Sequence, residues 1–228
     1  MKFARLIRLA VAALAALGLQ AAHAAGSVED AVKSLQQEWE TIKYKTPQAE
    51  HAKRFEELAA RAHGASEAHP DRAEPLVWEG IILSSWAGAK GGMAALGLAK
   101  KAKARYEAAM KIDADVLDGS AYNSLGVLYY KVPGWPVGFG DDKKAKELLL
   151  KALAVNPQGI DPNYFYGEYL LEQGKPDEAL TYLQRALQAP ARPGRDVADA
   201  GRREEARKLL EEARRKAGGA LSRDAATP

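Results

Sequence analysis

The chain has no cysteine among its 228 residues. That excludes a disulfide framework, a thiolate metal site, a cysteine nucleophile and the acylated cysteine of a lipobox. Histidine is scarce as well, at four residues. His23 falls in the segment read below as a leader, and His51, His63 and His69 lack metal-ligand spacing, so they read as surface side chains. Beyond residue 24 no apolar run reaches the roughly 18 residues that a membrane-spanning helix needs. A G-x-S-x-G elbow and a nucleophile–base–orienter set are missing too, so the chain reads as non-catalytic. A hydrolase built on groove carboxylates is the remote alternative. Gly134, Gly138 and Gly140 follow a helix rather than a strand, with the wrong spacing for a phosphate loop. Asp113, Asp115 and Asp118-Gly119 hint at a calcium loop. Leu117 breaks the acid alternation, however, and Ser124 stands where the bidentate Glu belongs. No metal or cofactor is expected.

An excess of one charge is also missing. The formal net charge of +3 is carried by Lys2, Arg5 and Arg8. Without Met1–Ala24 the chain holds thirty basic and thirty acidic residues, which gives nucleic-acid binding no electrostatic support. Those three cations precede the short apolar run Leu9–Leu19 and the small-x-small triplet Ala22-His23-Ala24. This is the arrangement of a cleaved secretory signal over residues 1–24, and it predicts a periplasmic or secreted protein.

What fills the rest is helical periodicity. Ser27 is placed to start a first helix, with Asp30 at the capping-acid position and Val28, Val32, Leu35, Trp39 and Ile42 on one face. Further helices are expected over about 48–63, 73–86, 94–111, 120–131, 141–155, 162–173, 176–188 and 199–216, with a disordered tail over 218–228. Asp141 or Asp142 is placed to cap the sixth, and Asp161 the seventh.

The helices repeat in pairs. Tyr122, Leu125, Gly126 and Tyr129 are followed by Ala145, Leu149, Ala152 and Pro157. Gly167 is followed by Ala179, Leu183, Ala186 and Pro190. Leu76 and Gly80, then Ala102, Tyr106 and Ala109, make a weaker copy. Small residues let two antiparallel helices approach, and pairs must stack because one pair cannot bury its apolar face alone. The pattern resembles the tetratricopeptide repeat (TPR), with Tyr122-x2-Leu125-Gly126-x2-Tyr129 matching its signature apart from tyrosine for tryptophan. The best repeats are 120–157 and 162–190, inside a repeat domain over 25–217. The resemblance implies an all-α, right-handed stack of TPR-like hairpins, and the Arg/Glu-rich last helix looks like its cap. Two pairs carry extra residues between their helices: Gly80 to Ala102 and Gly126 to Ala145 both exceed the usual twelve. With Gly134–Asp142, Asn163–Glu168 and Ala189-Pro190, those inserts resemble the TatT-type T-component of TRAP transporters, a family that associates with a periplasmic substrate-binding protein.

In TPR-like stacks the first helix of each pair lines the concave face. The resemblance therefore points inward Glu74, Val77, Ile81, Ser84 and Ser85. It does the same for Ser120, Asn123, Val127, Tyr130 and Lys131, and for Asp161, Tyr164, Glu168, Leu171 and Glu172. Tyrosines beside carboxylates suit an extended peptide or a cationic or hydroxylated ligand. Trp135 and Phe139 of the 131–142 insert are candidates either for a lid over that groove or for structural packing. The candidate binding residues are thus Asn123, Tyr130, Lys131, Trp135, Phe139, Asp161, Tyr164 and Glu168. The expected function is a scaffold holding a partner protein or peptide. The alternative is a T-component-like protein that binds a solute or the substrate-binding protein.

Overall fold

The computed structural model describes residues 27–224. The expected leader lies outside them. The described residues form nine helices: α1 (Val28–Lys45), α2 (Gln48–Ala68), α3 (Ala73–Lys90), α4 (Gly92–Ile112), α5 (Val116–Lys131), α6 (Asp142–Val155), α7 (Ile160–Glu172), α8 (Pro176–Gln188) and α9 (Asp196–Asp224). They pack as stacked TPR-like hairpins. Among the described residues none of the helices is long and apolar enough to cross a membrane. The single extended pairing among the described residues is an isolated bridge between Gly134 and Gly140.

The helix ends follow local chemistry. Ser27 accepts from the Asp30 amide at 3.1 Å, and Asp141 accepts from the Lys144 amide at 3.0 Å. Leu117, Asp118 and Gly119 sit in the left-handed region, with φ of 51°, 55° and 75°. Regular geometry in α5 therefore starts at Ser120, as the spacing predicts. Several boundaries differ from the pattern: α3 runs on to Lys90 past the expected end near Trp86, and α9 spans Asp196–Asp224, reaching into the tail expected to be disordered. The loop expected from Gly64 is helical to Ala68, because buried Ser66 donates to Glu79 at 2.6 Å and ties that turn to α3. Asp161 does not cap α7: Gly159 precedes the helix, and the Asp161 carboxylate is drawn instead to Arg192 and Arg202.

Each hairpin is seated by one contact. Ala102, Ala145 and Ala179 are fully buried, and so are Tyr106, Leu149 and Leu183 four residues on. Each of those large side chains lies over the glycine of its inner helix. A Cβ at Gly126 would stand 2.9 Å from Leu149 Cγ, and one at Gly167 would stand 2.8 Å from Leu183 Cγ. At Gly80 the Tyr106 ring would be met at 2.4 Å. No Cβ fits at such distances without displacing a fully packed neighbour.

The stack closes on itself. The inner helices α1, α3, α5 and α7 each touch the next, α9 packs on α7 and α8, and α9 also returns to α1. The last helix caps the stack and completes a ring of five inner helices. Gly201 of α9 faces Tyr44 of α1, where a Cβ would stand 2.3 Å from the ring. The outer helices α2, α4, α6 and α8 pack around this ring.

Gly126→Leu would overpack the α5–α6 seam. The expected loss of stability is about 1–3 kcal/mol, read as a lowered urea midpoint. An unchanged midpoint would refute the repeat register.

Candidate functional site

The ring encloses a concave pocket of about 900 Å³ to which all five inner helices contribute. Part of its wall comes from positions that the repeat register turns inward, although Glu74, Val77, Leu171 and Glu172, expected among them, do not line it. Ile81, Ser84 and Ser85 come from α3, Ser120, Asn123, Val127 and Lys131 from α5, and Asp161, Tyr164 and Glu168 from α7. The spacing works because inward positions recur every three or four residues on each helix.

Of the candidate residues, the pocket brings together Asn123, Lys131, Asp161, Tyr164 and Glu168. Tyr130 does not line it. Its hydroxyl donates to Glu168 at 2.5 Å and its ring meets Tyr169 edge-on at 5.6 Å, so it seals the seam between α5 and α7. Burial, with the Glu168 charge adding to it, pushes the Tyr130 hydroxyl well above its usual range. Trp135 and Phe139 are absent from the wall too. Phe139 packs edge-on against Tyr129 at 5.6 Å, with Lys103 Nζ 5.9 Å from its ring. Trp135 points to solvent and is 90% exposed. The insert is held from within, by Gly140 N donating to Pro133 O at 3.0 Å and Asp141 N to Tyr129 O at 2.8 Å. A lid needs apolar groups over the opening, and these two face elsewhere.

The rest of the wall escaped the sequence pattern. α1 supplies Trp39 and Tyr44, α3 supplies Trp78, the α8–α9 link supplies Arg192 and Arg195, and α9 supplies Arg202 and Glu205. The one sequence signal for the α9 pair is polar residues at core spacing: Ala198, Arg202 and Glu205 fall on one helical stripe.

Electrostatically the pocket has two paired ends. At one, Lys131 is bonded to Glu168 at 3.2 Å and to Glu172. Burial alone would lower the Lys131 ammonium, but the two carboxylates outweigh it and hold its pKa above the usual range. At the other end, Asp161 receives Arg192 and Arg202, each at 2.7 Å. Burial alone would raise this carboxyl, yet the two guanidiniums hold it down at about 2. Arg202 also reaches Glu205 at 2.6 Å and lies over the Tyr164 and Phe165 rings at 4.4 and 4.5 Å. Glu205 in turn accepts from the Tyr44 hydroxyl at 3.3 Å and pairs with Lys43 at 3.3 Å. The chain α7–α9–α1 is thus stitched by charge at the point where the ring closes.

Three polar atoms of the wall residues are buried without a hydrogen-bond partner: Asn123 Oδ1, Trp78 Nε1 and Arg195 Nε, the last still ion-paired with Glu40 at 3.5 Å. By contrast Trp39 Nε1 donates to Ser85 at 2.8 Å, and the Tyr106 hydroxyl shares a hydrogen bond with Ser84 at 3.0 Å. The wall is aromatic on the α1 and α3 side and hydrogen-bonding on the α5 and α7 side. Among the described residues there is also no group of three or more acidic, histidine or cysteine side chains placed to hold a metal ion.

No protein-family model matches the chain, and no curated protein matches it. Several solved structures are similar in shape. Yeast Tom70 superposes with a TM-score of 0.47 at 20% identity over 73% of this chain, which spans 31% of that protein's chain. MamA gives 0.42 at 18% identity, covering 74% of this chain and 92% of that one. YrrB, described as a TPR protein with an unusual peptide-binding site, gives 0.40 at 20% identity, covering 83% and 93%.

The Asp161 cluster sets a pH dependence. A carboxyl held at about 2 in the folded state, against about 3.9 unfolded, contributes stability that is fully present above pH 4. That contribution is lost as the pH falls from about 4 to about 2. Asp161→Asn should therefore be less stable than the parent at pH 7, with the gap closing towards pH 2 in chemical denaturation. A gap that stays constant with pH would show that the carboxylate charge is not what binds the cluster.

Proposed function

We propose that this chain is a non-catalytic binding scaffold that takes a segment of a partner protein into the pocket at the centre of its helical ring. The carrying observation is the pocket itself, a single concave space to which five separate helices each bring aromatic or hydrogen-bonding groups. The unpartnered Asn123 Oδ1 and Trp78 Nε1 offer one acceptor and one donor. A peptide backbone carries the complementary pair at every residue. Tyr44 and Trp39 supply aromatic groups on which apolar side chains can pack, while the Tyr164 ring is already covered by Arg202.

A second reading is favoured by the closure of the ring. A pocket of about 900 Å³ lies within the range of small-molecule sites, about 300–1,000 Å³, and closure limits how much of a partner can enter. In that reading the chain is a T-component-like accessory protein that binds a solute, or the substrate-binding protein, of a TRAP-type transporter. Both readings place it in the periplasm, on the strength of the leader-like segment 1–24.

The test is a photo-crosslinking residue at Val127, half-buried in the pocket wall, with a control at exposed Leu150 on the outer helix α6. A protein adduct from Val127 and not from Leu150, removed by Asn123→Leu, is the result expected of the scaffold. Native mass spectrometry showing a co-purified small molecule, without a protein adduct, would move the assignment to the solute reading. Neither adduct nor solute from the folded protein would overturn both.

Asn123→Leu also separates binding from folding. A buried acceptor without a partner costs about 1–3 kcal/mol, so its removal should leave melting unchanged or raised while the adduct disappears. A lowered melting temperature would show that Asn123 serves the fold.

A further inference from the structure

We propose that the rim formed by the α3–α4 turn and the 132–141 insert docks on an anionic lipid surface. The inference stands apart from the pocket and does not depend on what the pocket holds.

Met93, Trp135 and Val137 are the most exposed large apolar side chains among the described residues, at 91%, 90% and 62%. All three lie where an inner helix gives way to its outer partner. The inner helices run parallel: Trp39, late in α1, bonds Ser85, late in α3, and Tyr130, late in α5, bonds Glu168 in the second half of α7. Their outgoing loops therefore emerge on one rim. The hydrogen bonds within the insert keep Trp135 outward already, so presenting it to a partner orders little new backbone.

Charge on this rim is of one dominant sign. From Trp86 to Tyr106 the chain carries five basic residues and no acid, and none of the residues between Lys90 and Lys100 is charged. Lys103 Nζ lies 5.9 Å from the Phe139 ring and Lys144 Nζ lies 5.0 Å from the Tyr129 ring, so the middle of α4 and the start of α6 flank the insert. Lys103 is paired with Glu107, and Arg105 is turned inward to Glu79. Asp141 and Asp142 are the acids at the start of α6. Lys100, Lys101, Lys143 and Lys146 remain exposed, and among the described residues none of them forms an ion pair, although the Lys143 charge acts on Glu147 four residues on.

An exposed tryptophan with neighbouring aliphatic tips, bordered by free lysines, is the composition of an interfacial anchor. Indole settles at the headgroup level, and each lysine near an anionic leaflet adds about 1 kcal/mol. The apolar area is too small for insertion, so attachment would be peripheral and weakened by salt.

The experiment uses the chain from Ala25 onward, which includes every described residue. Co-sedimentation is measured with vesicles of phosphatidylcholine alone and of phosphatidylcholine mixed with phosphatidylglycerol. Binding to the mixed vesicles only is expected, with a blue shift of tryptophan emission that Trp135→Ala removes. The double variant Lys100→Gln with Lys101→Gln should bind roughly thirtyfold more weakly. These side chains are exposed, and unchanged helicity confirms that the variants fold. Equal binding to both vesicle types, or to neither, overturns the proposal. So does binding that both variants leave unchanged, which would place the lipid contact elsewhere on the molecule.

Discussion

The distance between an inner helix and its outer partner governs this structure. It is set where Tyr106, Leu149 and Leu183 lie over Gly80, Gly126 and Gly167 with no room for a methyl group. Alanines on both sides of those large residues are equally buried, so the backbones approach over several turns. Because the three seats are alike, each hairpin is added to the last in the same relation. A curved stack follows from repetition alone. The pocket is the space that the curvature leaves inside.

Curvature brings α9 to α1, and polar chemistry completes what packing begins. Gly201 admits Tyr44, and Arg202 reaches from Asp161 to Glu205 across the same junction. A guanidinium suits this place, since its planar fork serves two carboxylates while its face stacks on Tyr164 and Phe165. Ions so placed are costly to desolvate and gain little net stability over apolar packing, but leaving one unpaired is worse. The cluster thus acts more as a specification of which surfaces meet than as a source of stability. Asp161 belongs both to this cluster and to the pocket wall, so the closing of the ring and the shape of the site share a residue.

The repeat was legible because it is local. Gly126, Ala145 and Leu149 stand at fixed spacings, and the inward positions of α3, α5 and α7 follow by counting. Asn123, Lys131, Asp161, Tyr164 and Glu168 reach the pocket for that reason. Tyr130 obeys the same count yet turns to the seam, because Glu168 draws its hydroxyl. Trp135 projects away from the pocket, a direction that a glycine- and proline-rich insert does not reveal. Trp39, Tyr44, Arg202 and Glu205 were invisible for a different reason. α1 and α9 lack the glycine–alanine marker, and their meeting depends on the summed rotation of all the hairpins between them. No short window of sequence encodes that sum.

Ring closure also alters how the chain behaves as a polymer. An open solenoid is nearly one-dimensional: each repeat senses only its neighbours, and the ends fray independently. Here Tyr44 and Glu205, 161 residues apart, share a hydrogen bond. Contacts of that separation raise the mean sequence distance between partners and slow the search for the native state. They also join the two free ends from which unfolding would spread. The molecule built from local units is therefore completed by a non-local one, and shortening it at either terminus should be felt at the other.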